Sequence, residues 1–126
     1  MSRVLIVDDS PSQLVGMKRT LEKLGHQVIT AEDGAAGVEV AKRELPDLIL
    51  MDVVMPNLNG FQATRTISKD PKTSHIPIIL VTTKDQDTDR VWGMRQGAKA
   101  YITKPFSEAE LAAVIAQYVG SGPSAA

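Results

Sequence analysis

The sequence predicts an α/β domain, a (βα)5 chain whose five-stranded parallel sheet is doubly wound, with helices on both faces. Two observations carry that expectation. Five short strand-like runs alternate with five stretches that place apolar residues at helical spacing. The strand runs also lack regular polar alternation, as strands buried on both faces require. At 126 residues the chain is one domain by length, with room for a full core.

Val4-Leu5-Ile6-Val7 is the first strand, and it ends at Asp8-Asp9. Ser10-Pro11-Ser12-Gln13 then signals a helix start, with Ser at the cap, Pro at the first helical position and Gln at the third. Leu14, Met17, Leu21 and Leu24 follow at helical spacing, and Gly25 is the expected C-cap. Gln27-Val28-Ile29-Thr30 is a shorter second strand. A second helix runs from Asp33-Gly34 to about Glu44, with Val38, Ala41 and Leu45 on one side and Pro46 just beyond. Leu48-Ile49-Leu50-Met51 is the third strand; it stops at Asp52, and Val53-Val54-Met55-Pro56 leads into the turn Asn57-Leu58-Asn59-Gly60.

Phe61, Ala63 and Ile67 mark a third helix that fails before Pro71. Pro77-Ile78-Ile79-Leu80-Val81 is the fourth strand and gives way to Thr82-Thr83. The polar segment Lys84 to Arg90 opens a fourth helix, where Val91 and Met94 are expected to form the apolar stripe and Gly97 the close. Trp92 can be read as packed partly into the core or as an exposed contact. Ala100-Tyr101-Ile102-Thr103 is the fifth strand, ending at Lys104-Pro105. Ser107-Glu108-Ala109-Glu110 has the form of a capping box before Leu111, Val114, Ile115 and Tyr118. Residues 1–119 make up the domain, and the Gly-, Ser- and Ala-rich tail 120–126 is expected to be disordered.

Composition excludes several classes of function. A net charge of -1 supplies no basic field for nucleic acid and no polybasic membrane patch. No apolar stretch reaches the length of a membrane span or a signal peptide. With no cysteine, disulfides and thiolate metal sites are out, which fits a reducing cytoplasm.

The polar residues at the strand ends point to chemistry. Asp8 and Asp9 follow strand one, Asp52 strand three, Thr82 or Thr83 strand four and Lys104 strand five. In a parallel sheet all these ends lie on one side, where ligands of open α/β sheets bind. Three neighbouring carboxylates would repel one another and raise each other's pKa unless a cation neutralised them. Mg²⁺ suits such oxygen ligands. Asp52 can then act as a nucleophile that accepts a phosphoryl group, with Lys104 and a Thr hydroxyl stabilising charge on the phosphoryl oxygens. Taken one by one these are an acidic cap pair, a loop-capping acid, a strand-end hydroxyl pair and a solvated lysine. Their coincidence at four strand ends favours the joint reading. His26 and His75 fall in loops without a partner pattern and are expected to be solvated; no Cys/His cluster or glycine-rich phosphate loop is present.

The motifs VLIVDDS, LILMDVVMPNLNG, IILVTT and GAKAYITKPF resemble the receiver domain of two-component response regulators, the CheY-like family. The resemblance covers Ser2 to about Val119. It implies the flavodoxin-like strand order 2-1-3-4-5. It also implies Asp52 as phosphoacceptor, Thr82 and Tyr101 as switch residues, and Mg²⁺ held by Asp8, Asp9, Asp52 and the Val54 backbone carbonyl. A cis Lys104-Pro105 bond is typical of such domains. A histidine kinase, or a small donor such as acetyl phosphate, would supply the phosphoryl group. The Thr82 hydroxyl would then bond the phosphoryl oxygen and Tyr101 would swing inward.

Output would pass to a protein target through the fourth helix, fifth strand and fifth helix, carrying Arg90, Trp92, Met94, Lys99 and Tyr101. Val54 and Lys84 occupy positions that influence loss of the phosphoryl group in the family. The segment VTTKDQDTDRVWGMRQGAKAYITKP, with NGFQATR, is similar to stand-alone regulators of type IV pilus twitching motility. No output domain is expected after the fifth helix. Three alternatives stand beside this reading: a phosphate sink, a receiver-like module that is never phosphorylated, and a phosphatase of the haloacid dehalogenase type. The last places its nucleophile after the first strand, unlike Asp52.

Overall fold

In the computed structural model, residues 2–55 and 58–119 are described. The disorder expected of 120–126, and the Pro56-Asn57 part of the turn after Asp52, lie outside the described residues. The elements are β1 (Arg3–Val7), α1 (Pro11–Lys23), β2 (Gln27–Ala31), α2 (Gly34–Glu44), β3 (Leu48–Met51), α3 (Gly60–Lys69), β4 (Ile78–Thr82), α4 (Asp87–Arg95), β5 (Ala100–Thr103) and α5 (Glu108–Tyr118). All neighbouring strands pair in parallel, in the order β2-β1-β3-β4-β5.

The unbroken apolar strands follow from a core on each side of the sheet. Successive side chains of a strand point to opposite faces. Leu5, Val7, Ile49, Met51, Ile78 and Leu80 therefore meet Val38, Ala41, Ala63 and Ile67 of α2 and α3. Val4, Ile6, Leu48, Leu50, Ile79 and Val81 meet Leu14, Met17 and Leu21 of α1 and Leu111 and Ile115 of α5. Burying one of the large aliphatic side chains among them contributes about 1.5–3 kcal/mol relative to exposure. Among the described residues no helix is long and apolar enough to cross a membrane.

Several helix ends follow the sequence and several depart from it. At the end of α1, Gly25 takes φ 94°, its N–H donates to Glu22 O, and His26 N–H donates to Leu21 O. That is the paired bonding of a left-handed glycine terminus. Ser107 and Glu110 form the expected capping box of α5. At α1 the expected side-chain cap is not made: the Ser10 hydroxyl accepts no N–H from the first turn, and Gln13 turns its side chain to Lys104 instead.

Leu24 and Leu45 are exposed, because both sit past the last buried turn of their helices; Leu45 adopts φ 46° to end α2. The expected Val91-Met94 stripe is also absent. Val91, Trp92 and Met94 are 53%, 50% and 45% exposed, and the buried residue of α4 is Gly93. A helix that approaches the sheet through a glycine sits too close for larger side chains to point inward, so they point out.

His26 is another correction. Its ring is half-buried, and Nδ1 is buried without a partner among the described residues, so burial lowers its pKa. Histidine 75 is exposed, as expected.

Candidate functional site

The strand ladders deliver the acids. The first residue after each of β1, β3 and β5 donates its backbone N–H to a neighbouring strand end. Asp8 N donates to Ala31 O at 3.1 Å, Asp52 N to Val7 O at 2.9 Å, and Lys104 N to Thr82 O at 2.8 Å. These bonds place Asp8, Asp52, Thr82 and Lys104 along one edge of the sheet. Beneath them α3 begins at Gly60, whose N–H donates to Val53 O at 3.0 Å. A Cβ at position 60 would fall 2.0 Å from the Asp52 carbonyl oxygen, so the loop can close under the acid because residue 60 is glycine. The Asn59 and Gln62 side chains cap the same helix reciprocally.

At this edge Asp8, Asp9 and Asp52 each offer a carboxylate oxygen, and the three lie within 4.8 Å of one another. Asp8 and Asp52 are buried, while Asp9 is exposed at the mouth. Lys104 Nζ donates to Asp8 Oδ2 at 2.9 Å and stands 3.8 Å from Asp52 Oδ2. A further Lys104 N–H goes to Gln13 Oε1. Asp52 Oδ1 accepts from Val53 N at 2.8 Å. Burial nevertheless raises the Asp52 pKa above its ordinary value, and Asp8 raises it further; Lys104 and the backbone amides of Val53 and Val54 oppose the rise.

One ammonium faces three carboxylates, so the cluster has unmatched negative charge. Magnesium–oxygen bonds of about 2.1 Å put opposite ligands of one ion about 4.2 Å apart. Three carboxylate oxygens within 4.8 Å of one another come close to that spacing, and hard oxygen donors are what Mg²⁺ takes.

The remaining sequence candidates divide. Thr82 is fully buried at the end of β4, and its hydroxyl accepts from Lys84 N at 3.3 Å. Thr83 is exposed. Val54 lies exposed beside the acids. The Lys84 ammonium sits 3.9 Å from Asp89 Oδ1, on the α4 side of the loop. Tyr101 is half-buried against the Leu80 side of the core, and its hydroxyl donates to Lys84 O at 2.8 Å. Burial, then Asp89, pushes its pKa up to about 12. The Lys104-Pro105 bond is cis.

Arg90 is directed back at β5, whereas the side chains of Trp92, Met94 and Lys99 face outward. Sequence reasoning missed two participants, Gly60 and Gln13. A glycine directly after a strand-end acid and its turn was the available signal for the first; Gln13 looked like a cap residue and offered none.

The chain matches the family model described as response regulator receiver domain over residues 4–116. It is 60% identical over 111 residues to protein PilH of Pseudomonas aeruginosa, covering 88% of this chain and 92% of that protein. It is 39% identical over 110 residues to response regulator PleD of Caulobacter vibrioides, covering 87% of this chain but 24% of that protein. Among solved structures, chemotaxis protein CheY4 of Vibrio cholerae superposes with TM-score 0.89 at 30% identity, covering 94% of this chain and 99% of that one. The receiver domain of a sensor histidine kinase from Pseudomonas aeruginosa superposes with TM-score 0.88 at 34% identity, covering 95% and 98%; that structure has a magnesium ion coordinated in its active-site cleft. The fold is thus flavodoxin-like in the CheY manner, and the chain belongs to the response regulator receiver domain family.

Proposed function

We propose that this chain is a cytoplasmic, phosphorylatable receiver: Asp52 accepts a phosphoryl group from a histidine kinase in a Mg²⁺-dependent reaction. A protein partner then reads the change through the face of α4, β5 and α5. The observation that carries the reading is the convergence of three carboxylates within 4.8 Å, with the Lys104 ammonium 2.9 Å from one and 3.8 Å from another.

Asp8, Asp9 and Asp52 would hold Mg²⁺, with the Val54 backbone carbonyl as the further ligand that the family implies. Once bound, the ion supplies positive charge that offsets the carboxylates and the phosphoryl oxygens. The chain's own groups do the rest. An Asp52 carboxylate oxygen forms a bond to phosphorus as the donor's phosphorus–nitrogen bond breaks, and the electron pair leaves on the imidazole. Lys104 can then donate to a transferred phosphoryl oxygen from where it already stands. In this reading the Thr82 hydroxyl, at the C-terminal end of β4, turns toward the same group. Loss of its acceptor role toward Lys84 N would pass the change to the loop that opens α4.

The 60% identity to PilH supports a place in chemotaxis-like control of type IV pilus motility. Incubation with Mg²⁺ and acetyl phosphate is expected to add one phosphoryl mass to the wild type and none to Asp52→Asn. Labelling that survives the substitution would refute the assignment.

A further inference from the structure

The Tyr101 ring is held on three sides. Arg90, in the first turn of α4, sets its guanidinium carbon 5.1 Å from the ring centroid. The same group donates through Nη2 to Thr103 Oγ1 at 2.8 Å and through Nη1 to the Tyr101 carbonyl at 3.4 Å. Nearly one turn further on, a Cβ at Gly93 would stand 3.4 Å from Tyr101 Cδ2, 3.3 Å from Phe61 Cε1 and 2.5 Å from Leu80 Cδ1. At the far end of the ring, the hydroxyl reaches the Lys84 carbonyl, two residues after Thr82.

We propose that Arg90 is a positioning residue: it clamps the Tyr101 side chain into the seat left open by Gly93 before any phosphoryl group arrives, and so sets the resting position of the switch. This deepens the receiver reading, and its signalling meaning rests on that reading. A planar guanidinium can lie over an aromatic face while its fork reaches two oxygens of the next strand. A lysine ammonium is a point charge and cannot do both. Because α4 buries no large side chain, this clamp and the Lys84-Asp89 pair are its main polar ties to the switch region. The reading also divides α4 between two tasks. Arg90 is engaged within the chain, which leaves Val91, Trp92 and Met94 as the exposed apolar surface.

The test uses the full, unphosphorylated chain labelled with 3-fluorotyrosine. Tyr101 and Tyr118 are its two tyrosines, so two fluorine resonances are expected, assigned with Tyr101→Phe. In Arg90→Ala the Tyr101 resonance should move toward that of the free amino acid, reflecting about a two- to fivefold loss of the seated population. The Tyr118 resonance should stay in place, reporting an intact fold. Arg90→Lys should not restore the wild-type position, and Thr103→Val should give a smaller shift in the same direction. An unmoved Tyr101 resonance in Arg90→Ala, or full restoration by lysine, would overturn the clamp. The spectra need no phosphoryl group, so failure of Asp52 to be labelled would sink the receiver reading and leave this result standing.

Discussion

Helices α1 and α4 lie on opposite faces of the sheet, α1 against β1 and β2 and α4 against β5, and are held there by opposite means. From α1, Leu14, Met17 and Leu21 enter the core, and a glycine terminus closes the helix with two backbone hydrogen bonds. From α4 the buried residue is a glycine, and the fastening is a guanidinium on an aromatic ring, an exposed ion pair and a few polar bonds. Burial of a large apolar side chain is worth about 1.5–3 kcal/mol, whereas an exposed ion pair is worth about 0–1 kcal/mol. The difference teaches where movement is cheap. The α1 side is a fixed wall behind the acids; the α4 side can shift for little energy, which is what a switch element needs.

The largest expected effect breaks the comparison at its strong end. Leu21→Ala should destabilise the protein by about 2–5 kcal/mol in urea unfolding, while Trp92→Ala should stay within about 0.5 kcal/mol of wild type. Equal losses would show that α4 is anchored as α1 is.

Gly60→Ala comes next. Its Cβ would meet the Asp52 carbonyl oxygen at 2.0 Å, a backbone atom that cannot swing away. A loss of about 1–3 kcal/mol is expected, with a matching fall in the rate of Asp52 labelling. Wild-type labelling would show that the acid's position does not depend on this close approach.

The smallest effect is electrostatic. In metal-free buffer at neutral pH, Asp52→Asn should be more stable than wild type by about 1 kcal/mol, because it removes a buried charge. The sign follows from the raised carboxyl pKa. Stability linked to the protonated form is fully present below the ordinary value of 3.8 and is lost as pH rises through the raised one. The two proteins should therefore melt alike in acid and diverge as pH increases. A gap that closes with rising pH would reverse the assignment.

Much of this was legible in the sequence because the signals were redundant. Each of β1, β3 and β4 is a run of apolar residues followed by a polar residue, and in a parallel sheet that pattern alone brings Asp8, Asp52 and Thr82 to one edge. Strand order became legible through the resemblance of the motifs to receiver domains. What escaped was side-chain choice where two partners compete. Gln13 reads as a cap residue, yet Lys104 offers it a charged donor. Val91 and Met94 read as an apolar stripe, yet Gly93 brings the helix so close that they are turned out to solvent. Neither outcome is a property of local spacing, since both depend on what lies opposite in the fold.

The pocket itself is tested most directly by thermal unfolding in increasing Mg²⁺. An ion that binds the folded chain raises the melting temperature in proportion to the logarithm of its concentration once it exceeds the dissociation constant. The wild type should show that rise, and Asp9→Asn and Asp52→Asn should lose most of it. A wild-type melting temperature indifferent to Mg²⁺, or a rise undiminished in both variants, would contradict the assignment of these acids to a shared cation site.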